Sequence, residues 1–157
     1  MEKYKWGDLN TQQLGAYAEY FVKMELTKHG LRVYSPEVDD HGIDFVTRDD
    51  DGKYLEFQVK SIRGSGGYVF MRKSKFKPSP RLYLVFVLFL ESPLPDLYMI
   101  PSTVWNQPSG AFVSRDYDGL KSEPEWGFNV AKKYMPDLER YRFTSMVEEL
   151  LGIPNVI

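Results

Sequence analysis

Asp44, Glu56, Gln58 and Lys60 fall within one short stretch, "DDHGIDFVTRDDDGKYLEFQVKS", running from Asp39 to Ser61. Carboxylates, an amide and an ammonium so close together can hold a cation and meet an anion. Their surroundings sharpen the point. Asp39 to Glu56 is rich in acids, whereas Phe57 to Leu90 has none and carries Lys60, Arg63, Arg72, Lys73, Lys75, Lys77 and Arg81. Acids beside a basic run could seat a cation next to a polyanion; charges segregated by chance on solvated loops would read the same way. The chain has no cysteine and only two histidines, His29 and His41. Any metal here would therefore be a hard cation held among oxygens.

The elements that must position these residues follow from local pattern. Asp50-Asp51-Gly52 reads as a three-residue hairpin loop with Gly52 in the left-handed conformation. It pairs Asp49 with Lys53, and so Asp44 with Gln58. One face of the hairpin then holds Ile43, Phe45, Leu55, Phe57 and Val59, a core face, and the other holds Asp44, Val46, Glu56, Gln58 and Lys60. That polar row is either a solvated face or a site. Upstream, Thr11 to His29 reads as a helix with Leu14, Ala18, Phe21 and Val22 on one stripe and Gly30 ending it. Strands are expected near Leu31–Tyr34, Ile43–Arg48, Tyr54–Ile62 and Tyr68–Arg72. "RLYLVFVLFLE", apolar on both faces, reads as a buried central strand, followed by "LYMIPS". Further on, "STVWNQ" reads as a helical turn, "AFVSRDY" as a strand and Thr144–Leu151 as a closing helix.

At 157 residues, with 43% apolar and 15% aromatic content, one globular domain over residues 1–157 is expected. The net charge of −2 argues against a protein coated in basic patches. No signal-peptide core is visible at the N-terminus, and the longest apolar run, Leu82 to Leu90, is far too short to cross a bilayer. The expectation is a cytoplasmic protein without a membrane partner.

The order of residue types goes further. A helical glutamate in "LGAYAEYFVKMELTKHG" (Glu19), an aspartate opening a strand in "DDHGIDFV" (Asp44) and Gln-x-Lys on its partner in "EFQVKS" (Gln58, Lys60) resemble the PD-(D/E)XK nuclease superfamily. The resemblance is to its D…QxK variants among Mrr-like restriction enzymes and uncharacterised bacterial relatives. It covers Leu14 to Ser61 well, extends more weakly through "LYMIPS", and stops there. It implies an α/β, restriction-endonuclease-like fold, a mixed central β-sheet flanked by helices, with a nuclease-like core over about 11–101 and a C-terminal extension over 102–157. It also implies a hydrolase that cuts DNA with magnesium or manganese. Asp44 would be the main metal ligand, joined by the Gln58 amide oxygen, the Val59 carbonyl and Glu19; Lys60 would orient water and offset phosphate charge. The basic residues Arg63, Arg72, Lys73, Lys75 and Lys77 would track phosphates. Many nucleases of this fold cut both strands as dimers, which leaves a homodimer open here, although no dimer surface is legible. Most of the superfamily has a carboxylate where this chain has Gln58, so metal binding should be weaker. The alternative is a non-catalytic nucleic-acid- or protein-binding module on the same fold.

Several neighbours carry competing readings. Glu25 rivals Glu19 as the helical acid. Glu56 is as well placed to pair with Arg48 across the hairpin as to join the site. His41 could touch substrate or be an exposed loop residue. Asp39 and Asp40 read as turn or capping residues, or as ligands of a second metal. Trp6, Trp105 and Trp126 are too scattered to form a base-stacking platform.

Overall fold

The computed structural model describes residues 5–38 and 41–152. Helix α1 spans Thr11–Lys28. Asn10 caps it: its side chain accepts from the Gln13 amide at 2.8 Å, and the Gln13 side chain accepts from the Asn10 amide at 2.9 Å. Such a reciprocal cap satisfies two otherwise orphaned donors. At the far end Gly30, with φ of 89°, donates to the Thr27 carbonyl, and Leu31 donates to Leu26. That is the glycine-closed helix end the sequence pattern predicts.

Five strands make the central mixed sheet in the order β1 (Arg32–Tyr34), β2 (Phe45–Arg48), β3 (Tyr54–Arg63), β5 (Leu82–Phe89) and β6 (Asp96–Pro101). Only β3 and β5 run parallel; the other neighbours are antiparallel. Strand β4 (Tyr68–Arg72) leaves this sheet and pairs with β8 (Glu125–Asn129), which pairs with β7 (Phe112–Arg115). The sequence reading missed β8, and also the short helix α2 (Met135–Glu139); helix α3 spans Phe143–Leu150.

Each face of the central sheet carries its own core. On one, α1 buries Leu14, Ala18, Val22 and Leu26 against Phe45, Leu55, Phe57, Val85 and Val87, with Phe143 and Val147 of α3 closing the end. On the other, Leu82, Leu84, Phe86 and Leu88 meet Val69, Met71, Trp105, Phe112 and Phe128 of the second sheet and its connections. Strand β5 is apolar on both faces because both are covered. Residues after 101 thus complete both cores rather than hanging from one edge. The three tryptophans are used for packing and anchoring. Trp105 is fully buried and donates to the Gly127 carbonyl at 3.0 Å, while Trp126 donates to Phe76 and Trp6 to Ser92.

Candidate functional site

The hairpin forms in the expected register. Gly52, with φ of 82°, donates to the Asp49 carbonyl, and Asp49 donates to Lys53 at 3.0 Å. The ladder then runs through Arg48 opposite Tyr54 to Phe45 opposite Phe57, and its continuation sets Asp44 opposite Gln58. At Asp44 the ladder gives way. The Asp44 amide donates to the Phe57 carbonyl at 2.9 Å, and the Val59 amide donates to the Asp44 carboxylate, Oδ2, at 2.6 Å. A side-chain oxygen takes the place of a strand carbonyl where β2 parts from β3. A short bond from N–H to an ionised carboxylate is of the stronger, charge-assisted kind. It fixes one oxygen of Asp44 in the plane of the sheet beside Val59.

Departure of β2 from the ladder also moves Ile43. The alternation puts it with Phe45 on the core face, but β2 begins only at Phe45, and Ile43 is half-buried, lining a groove with His41, Val46 and Glu56. The core face gains Thr47 instead, fully buried opposite Leu55.

Gln58 and Lys60 alternate with Phe57 and Val59, so they point away from α1. Their partners on β5, Leu84 and Phe86, belong to the core on that opposite face. Both are partly buried. The Gln58 Oε1 atom is buried and has no hydrogen-bond donor among the described residues. An unsatisfied buried carbonyl oxygen is costly, and it calls for a ligand, a water or an ion.

Glu19 is placed differently. Its helix packs on the other face of the sheet, and its carboxylate pairs with Lys23 at 2.9 Å. Lys23 in turn donates to the Ser35 hydroxyl and lies 5.5 Å from the centre of the Phe45 ring. Glu19 therefore stands on the α1 side of the sheet and does not share the Gln58–Lys60 face. Its rival Glu25 sits farther off, lining a cleft with Asp96 and Arg142. Glu56 makes no ion pair with Arg48 among the described residues. Arg48 stands over the Tyr54 ring at 5.9 Å, and Glu56 instead faces the groove with Lys75 and Lys77. Asp39 and Asp40 lie outside the described residues.

The donor set suits a hard cation held loosely. An Asp44 carboxylate and an orphaned amide oxygen are oxygen ligands of the kind magnesium and manganese accept alongside waters. No group of three His, Cys, Asp or Glu side chains that could hold a metal occurs among the described residues.

The basic residues divide. Arg63 donates to the Trp6 and Leu9 carbonyls, tying the N-terminal segment to the end of β3. Arg72 pairs with Glu123 at 2.9 Å. Lys73 pairs with Asp116 at 2.6 Å, donates to Ser114, and lies 4.0 Å from the centre of the Trp126 ring. These three are engaged by their own chain. Lys75, which also has a partner of its own, and Lys77 line the groove beside Glu56. The acids that engage Arg72 and Lys73 come from the segment before β8, in "RDYDGLKSEPE", a cluster visible in the sequence whose destination was not. Among the described residues no helix is long and apolar enough to cross a membrane.

No protein-family model matches this chain, and no curated protein matches it. Solved structures do. One is a bacterial homing endonuclease, I-Ssp6803I, at TM-score 0.59 and 19% identity, covering 91% of this chain and 94% of that one. Another is Hjc, a Holliday junction resolvase from the archaeal hyperthermophile Archaeoglobus fulgidus. It aligns at TM-score 0.52 and 12% identity, covering 85% of this chain and 94% of that one. At these identities the likeness is one of fold. The chain has the restriction-endonuclease-like fold, a mixed central sheet flanked by helices.

Proposed function

We propose that this protein hydrolyses phosphodiester bonds of DNA with a divalent metal, in the manner of the D…QxK branch of the PD-(D/E)XK nucleases. The observation that carries the reading is the orphaned Gln58 Oε1, buried one strand away from an Asp44 carboxylate that is pinned to the Val59 amide. That pairing occurs on a fold shared with a homing endonuclease and a junction resolvase.

Asp44, Gln58 Oε1 and the Val59 carbonyl would hold magnesium or manganese, which when bound polarises the phosphate and makes its water acidic. The Val59 hydrogen bond keeps the Asp44 carboxylate from swinging away, so orientation is set before substrate arrives. Lys60 shares the Gln58 face, where its ammonium donates to phosphoryl oxygens as their charge grows. Glu19 takes part only when its pair with Lys23 opens. The amide in place of a second carboxylate removes one negative charge, which weakens metal binding and leaves Lys60 less firmly held.

A non-catalytic DNA-binding module is the second reading, favoured by Glu19 standing on the far face in its Lys23 pair. Titration calorimetry with manganese tests the site itself. The wild type should bind weakly, Asp44→Ala should abolish binding, and Gln58→Glu should tighten it by restoring a carboxylate. Equal binding by wild type and Asp44→Ala would remove the metal from this site.

A further inference from the structure

Beside the Asp44–Gln58 pair lies a groove that the proposed chemistry leaves unused. Tyr34 stands opposite Val46, Val46 opposite Glu56, and Glu56 opposite Leu82, so one row of side chains crosses four strands on the site face. The row sits two residues along the strands from Asp44 and Gln58, about 6.6 Å. It floors two hollows that meet at His41 and Ile43. The first, of about 300 Å³, is apolar, with Tyr34, Pro36 and Val38 around it. The second, of about 310 Å³, has Ser74, Lys75 and Lys77 beside Glu56 among its described lining.

The wall between them is tightly built. Gly42 has φ of 76°, and a Cβ there would lie 2.7 Å from the Lys75 carbonyl oxygen. The loop bearing His41 and Ile43 therefore packs directly on the turn that bears the lysines. An apolar hollow with a tyrosine, joined to a cationic one, asks for a ligand that is flat and apolar at one end and anionic at the other. Each hollow is at the small end of the range for ligand sites, so a duplex does not enter.

We propose that this groove takes one unstacked nucleotide of the substrate, its base against Tyr34 in the apolar half and its phosphate at Lys77. The placement next to the cleaved bond rests on the nuclease reading; the chemistry of the groove does not. Since drawing a base out of a duplex costs free energy, least when it is already unpaired, the preferred DNA carries an unpaired nucleotide.

The test is fluorescence polarisation of the full chain in EDTA, which reads binding apart from metal-dependent cleavage. Three probes are compared: a short paired duplex, the same duplex with a one-nucleotide bulge of 2-aminopurine, and that bulge made abasic. The 2-aminopurine bulge should bind about five- to a hundred-fold tighter than the paired duplex, the range that stacking of one base on an aromatic ring supports, and the abasic bulge should lose the gain. Tyr34→Ala should erase the bulge preference and leave paired-duplex binding intact. Lys77→Gln should weaken binding and flatten the salt dependence by about one phosphate contact. Tyr34 is 47% exposed and Lys77 is exposed, so both variants should fold, which melting curves check. Equal affinity for all three probes, or variants that bind as the wild type does, overturns the proposal. Equal affinity together with metal-dependent cutting rejects the groove and keeps the nuclease. Bulge preference without any cutting keeps the groove and rejects the nuclease.

Discussion

Replacing Gly42 by alanine should cost far more stability than the same change at Gly30, and the difference measures how firmly the site loop is clamped. Both glycines adopt the left-handed conformation, with φ of 76° and 89°. That conformation costs an L-residue roughly 1–2 kcal/mol, offset in part because alanine narrows the unfolded ensemble. At Gly30 nothing lies within 4 Å of the added Cβ, so the net loss should be about 1 kcal/mol. At Gly42 the Cβ meets the Lys75 carbonyl oxygen at 2.7 Å and the Lys75 Cβ at 3.1 Å. The obstacle includes backbone, so the turn carrying Ser74 and Lys75 must move, and overpacking of this kind adds roughly 1–3 kcal/mol. Gly42→Ala should therefore lose about 2–4 kcal/mol. At about 2–4 °C per kcal/mol for a chain of this size, its Tm should fall clearly below that of Gly30→Ala. Thermal unfolding followed by circular dichroism, with urea titration as a check, gives both numbers. Equal losses for the two variants would refute the clamp. They would also undo the claim that the loop before Asp44 is held by the turn after β4.

Two further outcomes are expected elsewhere in the fold. Thr47 is fully buried and its hydroxyl has no partner among the described residues, so Thr47→Val should stabilise the protein by roughly 1 kcal/mol in urea unfolding. A loss of stability would show that the hydroxyl is satisfied. The Tyr68 phenol is pushed well above its ordinary value by burial and by its hydrogen bond to Glu125, and burial pushes Tyr98 up to about 12. The unfolded chain then gives up these protons first, so stability is full below about pH 10 and declines as pH rises through the raised values. Tyr68→Phe should make that alkaline decline shallower; an unchanged slope would mean the phenol does not hold its proton in the fold.

What could be read from the chain was whatever is decided locally. The hairpin register follows from Gly52, which the turn needs at positive φ, and the end of α1 follows from Gly30 for the same reason. Strand β5 announced itself because both of its faces are covered. Ile43 was misassigned because alternation presumes an unbroken ladder. The break at Asp44 comes from a side-chain oxygen taking the place of a strand carbonyl, which no period-two pattern records. Of the two readings of Glu56, the pair with Arg48 does not form among the described residues: Arg48 lies over Tyr54 and Glu56 looks into the groove. Strand β8 was hidden by Gly127, which is there because the Tyr68 ring covers it and a Cβ would run into that ring. The basic run looked uniform, yet Arg63, Arg72 and Lys73 find partners at Leu9, Glu123 and Asp116, distances along the chain that composition cannot span. Asp44, Gln58 and Lys60 were picked out by residue type and order. Glu19 was picked out in the same way; that it stands on the α1 side of the sheet, paired with Lys23, is set by packing, which residue order does not record.

Cleavage itself tests the central claim most directly. Wild-type protein, Asp44→Ala and Lys60→Ala are incubated with supercoiled, linear and branched DNA, and with RNA, in manganese. The wild type should cut DNA in manganese and not in EDTA. Asp44→Ala should abolish cutting through loss of the metal. Lys60→Ala should slow it by roughly two orders of magnitude or more, as loss of a transition-state stabiliser does, while leaving DNA binding within a few-fold. A wild type that cuts none of these substrates, or variants that cut as fast as it does, would contradict the account and leave a binding module on a nuclease fold.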